Sequence, residues 1–289
     1  MTVYAPNVSS YTSHAPYITP AEFMASPTGV NVSQLVPRGT ASQNDDALRT
    51  VIARASSYAD TFCKQVLSST VDIESGRYRI QRTGVMVIPM RNSPVVAVNS
   101  IKIGYSPSSM TEISDMGNVW IDRKVVQFPV NSLPLMPVFG GTSPDGKVYS
   151  IISYVNGYAN AELSAPIVAG DLTATVSNPL GMYTGVELTV YDPGNTETLI
   201  VESFSGNTIT FTSPATQAHE VGNNISSLPD SIKQAVVLLT ASLIKTRGSE
   251  AIVMAQMRSQ ANQATSIEGG GSEEISIAKE LLLPYVRTV

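Results

Sequence analysis

The stretch Val85-Met86-Val87-Ile88-Pro89-Met90-Arg91-Asn92-Ser93-Pro94-Val95-Val96-Ala97-Val98-Asn99-Ser100-Ile101-Lys102-Ile103 holds two runs rich in β-branched residues on either side of a Pro-containing turn. Such runs, bounded by turn residues, read as strands. Working outward, the period of two persists on both sides. Val71-Asp72-Ile73-Glu74 and Arg77-Tyr78-Arg79-Ile80-Gln81-Arg82 precede the stretch. Further strands are expected over 119–129 and over 148–155, the latter closing on Asn156-Gly157. N-terminal to residue 70 the period changes. Leu48, Val51, Ile52, Ala55, Tyr58, Ala59, Phe62, Cys63 and Val66 keep one face apolar for about six turns at 3.6 residues per turn. Asn44 is the expected cap, and Asp45 and Asp46 suit the positive end of the helix dipole, giving a helix over 45–67.

Helix returns near 228. Pro229 fits a first helical position and Ser227 with Asp230 forms a capping pair. Ile232, Ala235, Val236, Leu239 and Leu243 make an apolar stripe, and Arg247-Gly248 supplies a basic end and a stop. Residues 249–265 are compatible with a polar helix, and Ser266–Ser272, with its triple glycine, reads as a flexible hinge. An amphipathic segment over 273–286 follows, with Ile275, Ala278, Leu281, Leu282 and Tyr285 on one side. At the other end, residues 1–44 are rich in Pro, Ser, Thr and Asn and read as an extended arm. One short helix is expected there, with Thr19 as cap and Pro20 in the first turn.

The 289 residues carry 18 Lys and Arg against 23 Asp and Glu, a formal charge of −5. That charge is unevenly placed. No Lys or Arg occurs between Lys147 and Lys233, and residues 163–226 contain six acids: Asp171, Glu187, Asp192, Glu197, Glu202 and Glu220. The segment alone is thus −6 and the remainder +1. Within it, 172–176, 186–191, 198–202 and 208–212 alternate, separated by Asp192-Pro193-Gly194-Asn195 and Ser205-Gly206-Asn207 turns. About 64 residues with several short strands suit a small β-sandwich or β-barrel. The expected fold is therefore α+β. Its core is helical, with long helices near 45–67 and 228–248 packed on a small antiparallel strand region, and an all-β module is inserted at 163–226. The domain reading is an arm over 1–44, a core over 45–162 and 227–289, and the module between.

Few chemical signatures are present. A single Cys excludes an intrachain disulfide and a Cys-based zinc site, and Cys63 lies on the apolar helix face as a packing residue. No apolar stretch approaches the ~20 residues of a membrane helix, and the N-terminus lacks the layout of a signal peptide. HExxH, GxSxG, Walker-type and GxGxxG motifs are absent. A hydrolytic triad would have to recruit His14 or His219. The expectation is no enzyme, no metal and no cofactor. Arg77, Arg79 and Arg82, with Arg91 nearby, form the one basic cluster. Arg77 and Arg79 share a strand face, which either touches phosphate or a neighbouring subunit or is a solvated surface. A helix of three turns is marginal alone, so the apolar face over 273–286 must either fold back on its own chain or dock on a partner.

The order of these pieces resembles the head-to-tail connector (adaptor) proteins of tailed bacteriophages. The resemblance is carried by four segments in order. They are Asp45-Asp46-Ala47-Leu48 with its helix, the strands around Arg77-Tyr78 and Ile88–Ile101, the strand end Val155-Asn156-Gly157-Tyr158, and Leu228-Pro229-Asp230-Ser231-Ile232-Lys233-Gln234-Ala235. It covers roughly 45–160 and 228–248; the intervening β module and the long N-terminal arm depart from the family pattern. It implies a virion protein at the head–tail junction, assembled in the bacterial host cytoplasm. Such proteins form a ring, usually twelvefold, under the portal, extend the channel for passing genomic DNA, and present a surface to the next neck or tail protein. On this reading 273–286 is the candidate portal- or neighbour-docking element, and Arg77, Arg79 and Arg82 face DNA or an interface. Two other readings come from the residues. One makes 163–226 a carbohydrate- or surface-binding module, with Tyr183, Tyr191, Phe204 and Phe211 as its aromatics. The other is a hydrolase using His219.

Overall fold

A computed structural model of the chain describes residues 15–33, 35–122, 124–130, 147–246 and 272–287. His14, the polar stretch 249–265 and the glycine hinge through residue 271 lie outside them. Thirteen strands in three sheets stand against four α-helices among the described residues. The expected α+β fold with a helical core is thereby corrected. Helices do form close to 45–67 and 228–248, but the chain is predominantly β. Several strands that tip the balance are only three residues long and polar, and pairing partners distant in sequence fix them rather than any hydrophobic period. The described residues fall into two compact units, 68–158 with Arg287, and 15–67 with 159–286.

The first unit contains β1 (Thr70–Arg79), β2 (Val85–Pro89), β3 (Val95–Ser106), β4 (Ser109–Glu112), β5 (Trp120–Asp122), β6 (Val125–Pro129) and β7 (Lys147–Asn156). They form a four-stranded sheet in the order β1-β7-β3-β4 and a three-stranded sheet in the order β2-β6-β5, antiparallel throughout. Alternation puts Met86 and Ile88, Ile101 and Ile103, Val126 and Phe128, and Val148, Ile152 and Tyr154 into one buried cluster shared by the two sheets. The hairpin of β3 and β4 requires Gly104, where a Cβ would lie 1.9 Å from the Ser109 carbonyl oxygen.

Strand β1 is inverted relative to its hydrophobicity. Asp72 and Glu74 are buried, while Val71 and Ile73 are 44% and 46% exposed. The inward carboxylates are satisfied. Asp72 Oδ2 accepts from Asn92 Nδ2 and Asn156 Nδ2, each at 2.7 Å, and Glu74 Oε1 accepts from the Tyr154 hydroxyl and, at 2.9 Å, from the Arg91 amide. Burial first, and then the bond to Glu74, push the Tyr154 hydroxyl far above its ordinary pKa. These bonds make it favourable for the acids to face inward, since a buried carboxylate without partners costs several kcal/mol, roughly.

The second unit holds β8 (Asn160–Glu162), β9 (Thr173–Thr175), β10 (Glu187–Tyr191), β11 (Glu197–Ser205), β12 (Thr208–Phe211) and β13 (Asn224–Ser226), in the order β8-β13-β10-β11-β12-β9. Its two ends meet. Leu163 bridges Val176, the Ser164 amide donates to the Thr175 carbonyl at 2.8 Å, and the Ser177 amide donates to Glu162 at 2.9 Å. The strands thus return on themselves as a small barrel filled by Leu163, Val176, Leu188, Val190, Leu199, Val201, Ile209, Phe211 and Ile225.

Four helices belong to the same unit. Helix α1 (Pro20–Ala25) has Thr19 as cap, reciprocated by Glu22, with Pro20 in its first turn. Helix α2 (Ala41–Cys63) starts earlier than Asn44. Its cap is Thr40, boxed with Gln43, and Asn44 instead accepts from the Val36 amide at 2.8 Å and donates to the Ser33 carbonyl at 2.9 Å. Helix α3 (Asp230–Lys245) has no side-chain cap. The Ser227 hydroxyl accepts from the Ala159 amide, and the Asp230 carboxylate accepts from the Tyr191 hydroxyl, each at 2.9 Å. Helix α4 (Ser272–Leu282) ends in a 3₁₀ turn, Leu283–Tyr285, and packs on α3 and α2.

Candidate functional site

Arg77 and Arg79 project from the exposed face of β1, in the same row as Val71, Ile73 and Ser75. The pairing register extends this face onto β7, where Val155 stands opposite Val71, Ser153 opposite Ile73, Ile151 opposite Ser75, Tyr149 opposite Arg77 and Lys147 opposite Arg79. The Arg77 guanidinium lies 4.5 Å from the centroid of the Tyr149 ring. Arg82 is set apart from this row, exposed in the turn between β1 and β2 where the Gly84 amide closes onto the Gln81 carbonyl at 2.9 Å. The site is therefore a surface, apolar at the Val71 end and basic at the Arg79 end. The spacing of Arg77 and Arg79 is legible in the sequence; the outward position of Val71 and Ile73 depends on the buried partners of Asp72 and Glu74.

On α4, Ile275, Ala278 and Leu282 are buried and Leu281 and Tyr285 half-buried. Sequence leaves two choices for this face, and in the structure it lies on the chain's own α2 and α3. Gln65 Nε2 donates to the Tyr285 carbonyl at 2.9 Å, and the Tyr285 and Ser231 hydroxyls are 2.8 Å apart. Cys63 is buried beneath the end of this helix, its Sγ 3.8 Å from the Leu282 carbonyl. Burial, followed by the Asp60 charge, pushes its thiol up to about 12. The large apolar side chains left exposed here are Ile277 on α4 and Leu283 in the 3₁₀ turn.

His219 is held in the barrel. Its Nδ1 is 3.2 Å from Asp192 Oδ2, its Nε2 is 2.8 Å from Glu197 Oε1, and its side chain has no exposed surface. Burial raises the Glu197 carboxyl, but bonds from the Thr216 hydroxyl and amide, His219 and the Gln217 amide outweigh it and hold Glu197 below its ordinary value. With both ring nitrogens engaged by carboxylates, His219 has no nitrogen left to activate a nucleophile. It fastens its own segment to the two ends of the β10–β11 turn. Replacing it with alanine removes one donor from each of two largely buried carboxylates and opens a cavity, and is expected to lower stability by about 2–3 kcal/mol, read as a lower urea midpoint at pH 7. An unchanged midpoint would remove this role. Of the barrel aromatics, Phe211 is buried and Tyr191 is capped by Lys233, which leaves Tyr183 and Phe204 exposed.

One constellation escapes sequence reading. Lys233, within the Leu228–Ala235 motif, is buried; its Nζ donates to Glu22 Oε1 at 2.7 Å and Asn224 Oδ1 at 2.8 Å and lies 3.3 Å from the Tyr191 ring centroid. Burial pulls its ammonium down to about 8, against the opposing pull of Glu22. No group of His, Cys, Asp and Glu among the described residues is arranged to hold a metal ion, and no described helix is long and apolar enough to cross a membrane.

No protein-family model matches the chain, and no curated protein sequence matches it. Among solved structures it is similar to a chain of the "Neck of empty GTA particle computed with C6 symmetry", at 14% identity over 94% of both chains with a TM-score of 0.36. A chain of the "Virion of native gene transfer agent (GTA) particle" gives 14% identity, 94% coverage of both chains and a TM-score of 0.35. The Gp54 tailspike of Acinetobacter baumannii bacteriophage AP22, in complex with capsular saccharide, gives 19% identity over 25% of this chain with a TM-score of 0.21. The match spans 15% of the tailspike's length. At these TM-scores the likenesses carry no argument about function.

Proposed function

We propose that the chain is a structural virion protein of a phage-like particle, a head-to-tail adaptor that forms a ring beneath the portal and joins the capsid to the neck or tail. One observation carries this reading. Two of the four segments on which the sequence resemblance rests, though spread over some 80 residues of chain, supply three neighbouring strands of one sheet. Arg77-Tyr78 lies on β1, Val155-Asn156 on β7, and Val95–Ile101 on β3, in the order β1-β7-β3. Asp72 of β1, Asn156 of β7 and Asn92 from the turn leading into β3 meet in one hydrogen-bonded cluster around the buried Asp72 carboxylate. These strands therefore form one sheet with an exposed apolar-and-basic face, which suits assembly through surfaces.

In this reading the ring comprises about twelve copies related by rotation. Genomic DNA passes through it without sequence-specific contact, consistent with the chain's net acidity. Residues 163–226 are a β module added to the adaptor core of 45–162 and 227–289, and 1–44 is an arm. The test is mass photometry of the full chain, alone and with portal protein. A closed ring of one multiplicity, formed alone or only on the portal, is expected. A stable dimer that the portal does not change would overturn the reading.

A further inference from the structure

We propose that copies of this chain join head to tail through the outer face of β1 and β7 on one copy and the outer face of β10 and β11 of the barrel on the next. The proposal rests on the ring reading above and names the surfaces that would close it.

The first surface is apolar and cationic. Its outward residues on β1 and β7 are Val71, Ile73, Ser75, Arg77 and Arg79, and Lys147, Tyr149, Ile151 and Ser153. They include three cations and no acid. Lys102 on β3 adds a fourth beside Ile151, although it is also 3.5 Å from the exposed Glu112. A row with Val71 and Ile73 nearly half exposed beside arginines is a poor solvated face, because the apolar side chains gain nothing from water.

The second surface has the opposite charge. Glu187 on β10 stands directly opposite Ile200 on β11, which is 41% exposed, and Glu202 follows on the same strand, exposed at the bulge before Ser203. The turn carrying Tyr183, 47% exposed, abuts β11, where the Gly185 amide donates to the Val201 carbonyl at 2.8 Å. The barrel's own strands and turns supply no cation there: the sequence has no Lys or Arg from 148 to 232, and the ammonium of Lys233 is buried against Glu22 and Tyr191. Each surface thus pairs exposed apolar side chains with an excess of one sign of charge, and the excesses are complementary.

DNA is a weaker occupant of the first surface. Phosphates would pair with the arginines but leave Val71 and Ile73 uncovered, whereas Ile200 and Tyr183 of another copy would cover them. Because the two surfaces differ, the contact is heterologous, and repeating it yields a ring when the rotation closes.

The experiment uses the full-length chain under the conditions in which the wild type assembles. The variant Arg77→Glu/Arg79→Glu and the variant Glu187→Arg/Glu202→Arg are each expected to raise the apparent dissociation constant for assembly by at least about tenfold, with a cooperative thermal transition retained. Mixed in equal amounts, the two should assemble again. Every contact in an alternating ring then pairs opposite charges, reversed at one junction and native at the next. Assembly of either variant alone at the wild-type concentration would overturn the proposed contact and leave the ring reading standing, as would failure of the folded mixture to assemble. Loss of DNA retention by the arginine variant with assembly intact would assign the surface to nucleic acid and likewise overturn it. A wild type that stays monomeric with and without portal protein would overturn both the contact and the ring.

Discussion

Replacing Lys233 with methionine is expected to destabilise the unit of α1, the barrel and α3 by about 3–5 kcal/mol, among the largest effects of any single substitution in the chain. Methionine preserves much of the volume and removes the ammonium. Glu22 is then left in a site where its side chain is 11% exposed, keeping the Thr19 amide, at 2.5 Å, as its donor among the described residues. Asn224 Oδ1 loses the Lys233 donor as well. The pH dependence gives a second, independent readout. The folded-state pKa of Lys233 is lowered from 10.5 to about 8 by burial, partly offset by Glu22. Between those values the unfolded chain binds the proton that the folded chain has released, so this group's contribution to stability is least favourable below pH 8 and rises up to pH 10.5. The slope is about 1.4 kcal/mol per pH unit. Urea denaturation of wild type and variant from pH 7 to 10 should therefore show a gap that widens above pH 8. A gap that stays constant or narrows would contradict this account of the buried amine.

Deleting residues 272–289 is expected to cost on the order of 5 kcal/mol, from the burial of Ile275, Ala278 and Leu282, and to change the chemistry of Cys63. In the folded chain Cys63 is covered beneath the Leu282 end of α4, and its thiol is pushed up to about 12. Removing the cover lowers that penalty and admits solvent. The rate of modification by a thiol reagent at pH 8 should rise at least about a hundredfold. Unchanged modification and an unchanged thermal midpoint would show that α4 is an accessory to its unit. Ile277 and Leu283, the large apolar residues left exposed on α4 and its 3₁₀ turn, are the ones left available to a partner while the helix stays seated.

How far the sequence carries depends on where the decisive interaction lies. The start of α1 was legible because Thr19, Pro20 and Glu22 act within one turn. The start of α2 was missed by four residues, although its Thr40–Gln43 box is equally local. Asn44 is also a good capping residue, and its real duty, tying down Ser33 and Val36, involves residues 11 and 8 positions away. The alternation of 85–103 placed β2 and β3 correctly. The polar strands β8 and β13 have no such signature, since each is fixed by the other across some 60 residues. Missing strands of that kind is what turned a mostly β chain into an expected helical core. For the candidate surface, spacing put Arg77 and Arg79 on one face, but alternation cannot say which face of β1 turns inward. A hydrophobicity rule would bury Val71 and Ile73. Lys233 was invisible for a similar reason, because its counter-ion Glu22 lies 211 residues away.

The barrel closes on itself at Leu163 and Val176, so it offers no terminal strand to which another chain could add its backbone. Strand β1 is different. Among the described residues it ends its sheet, and its outward side chains begin with two aliphatic residues, the combination from which intermolecular sheets and insoluble material grow. Arg77 and Arg79 counter this hazard. A second β1 approaching edge to edge would bring arginines into a low-dielectric seam of like charge. The same two arginines thus make this edge a poor template for a growing intermolecular sheet.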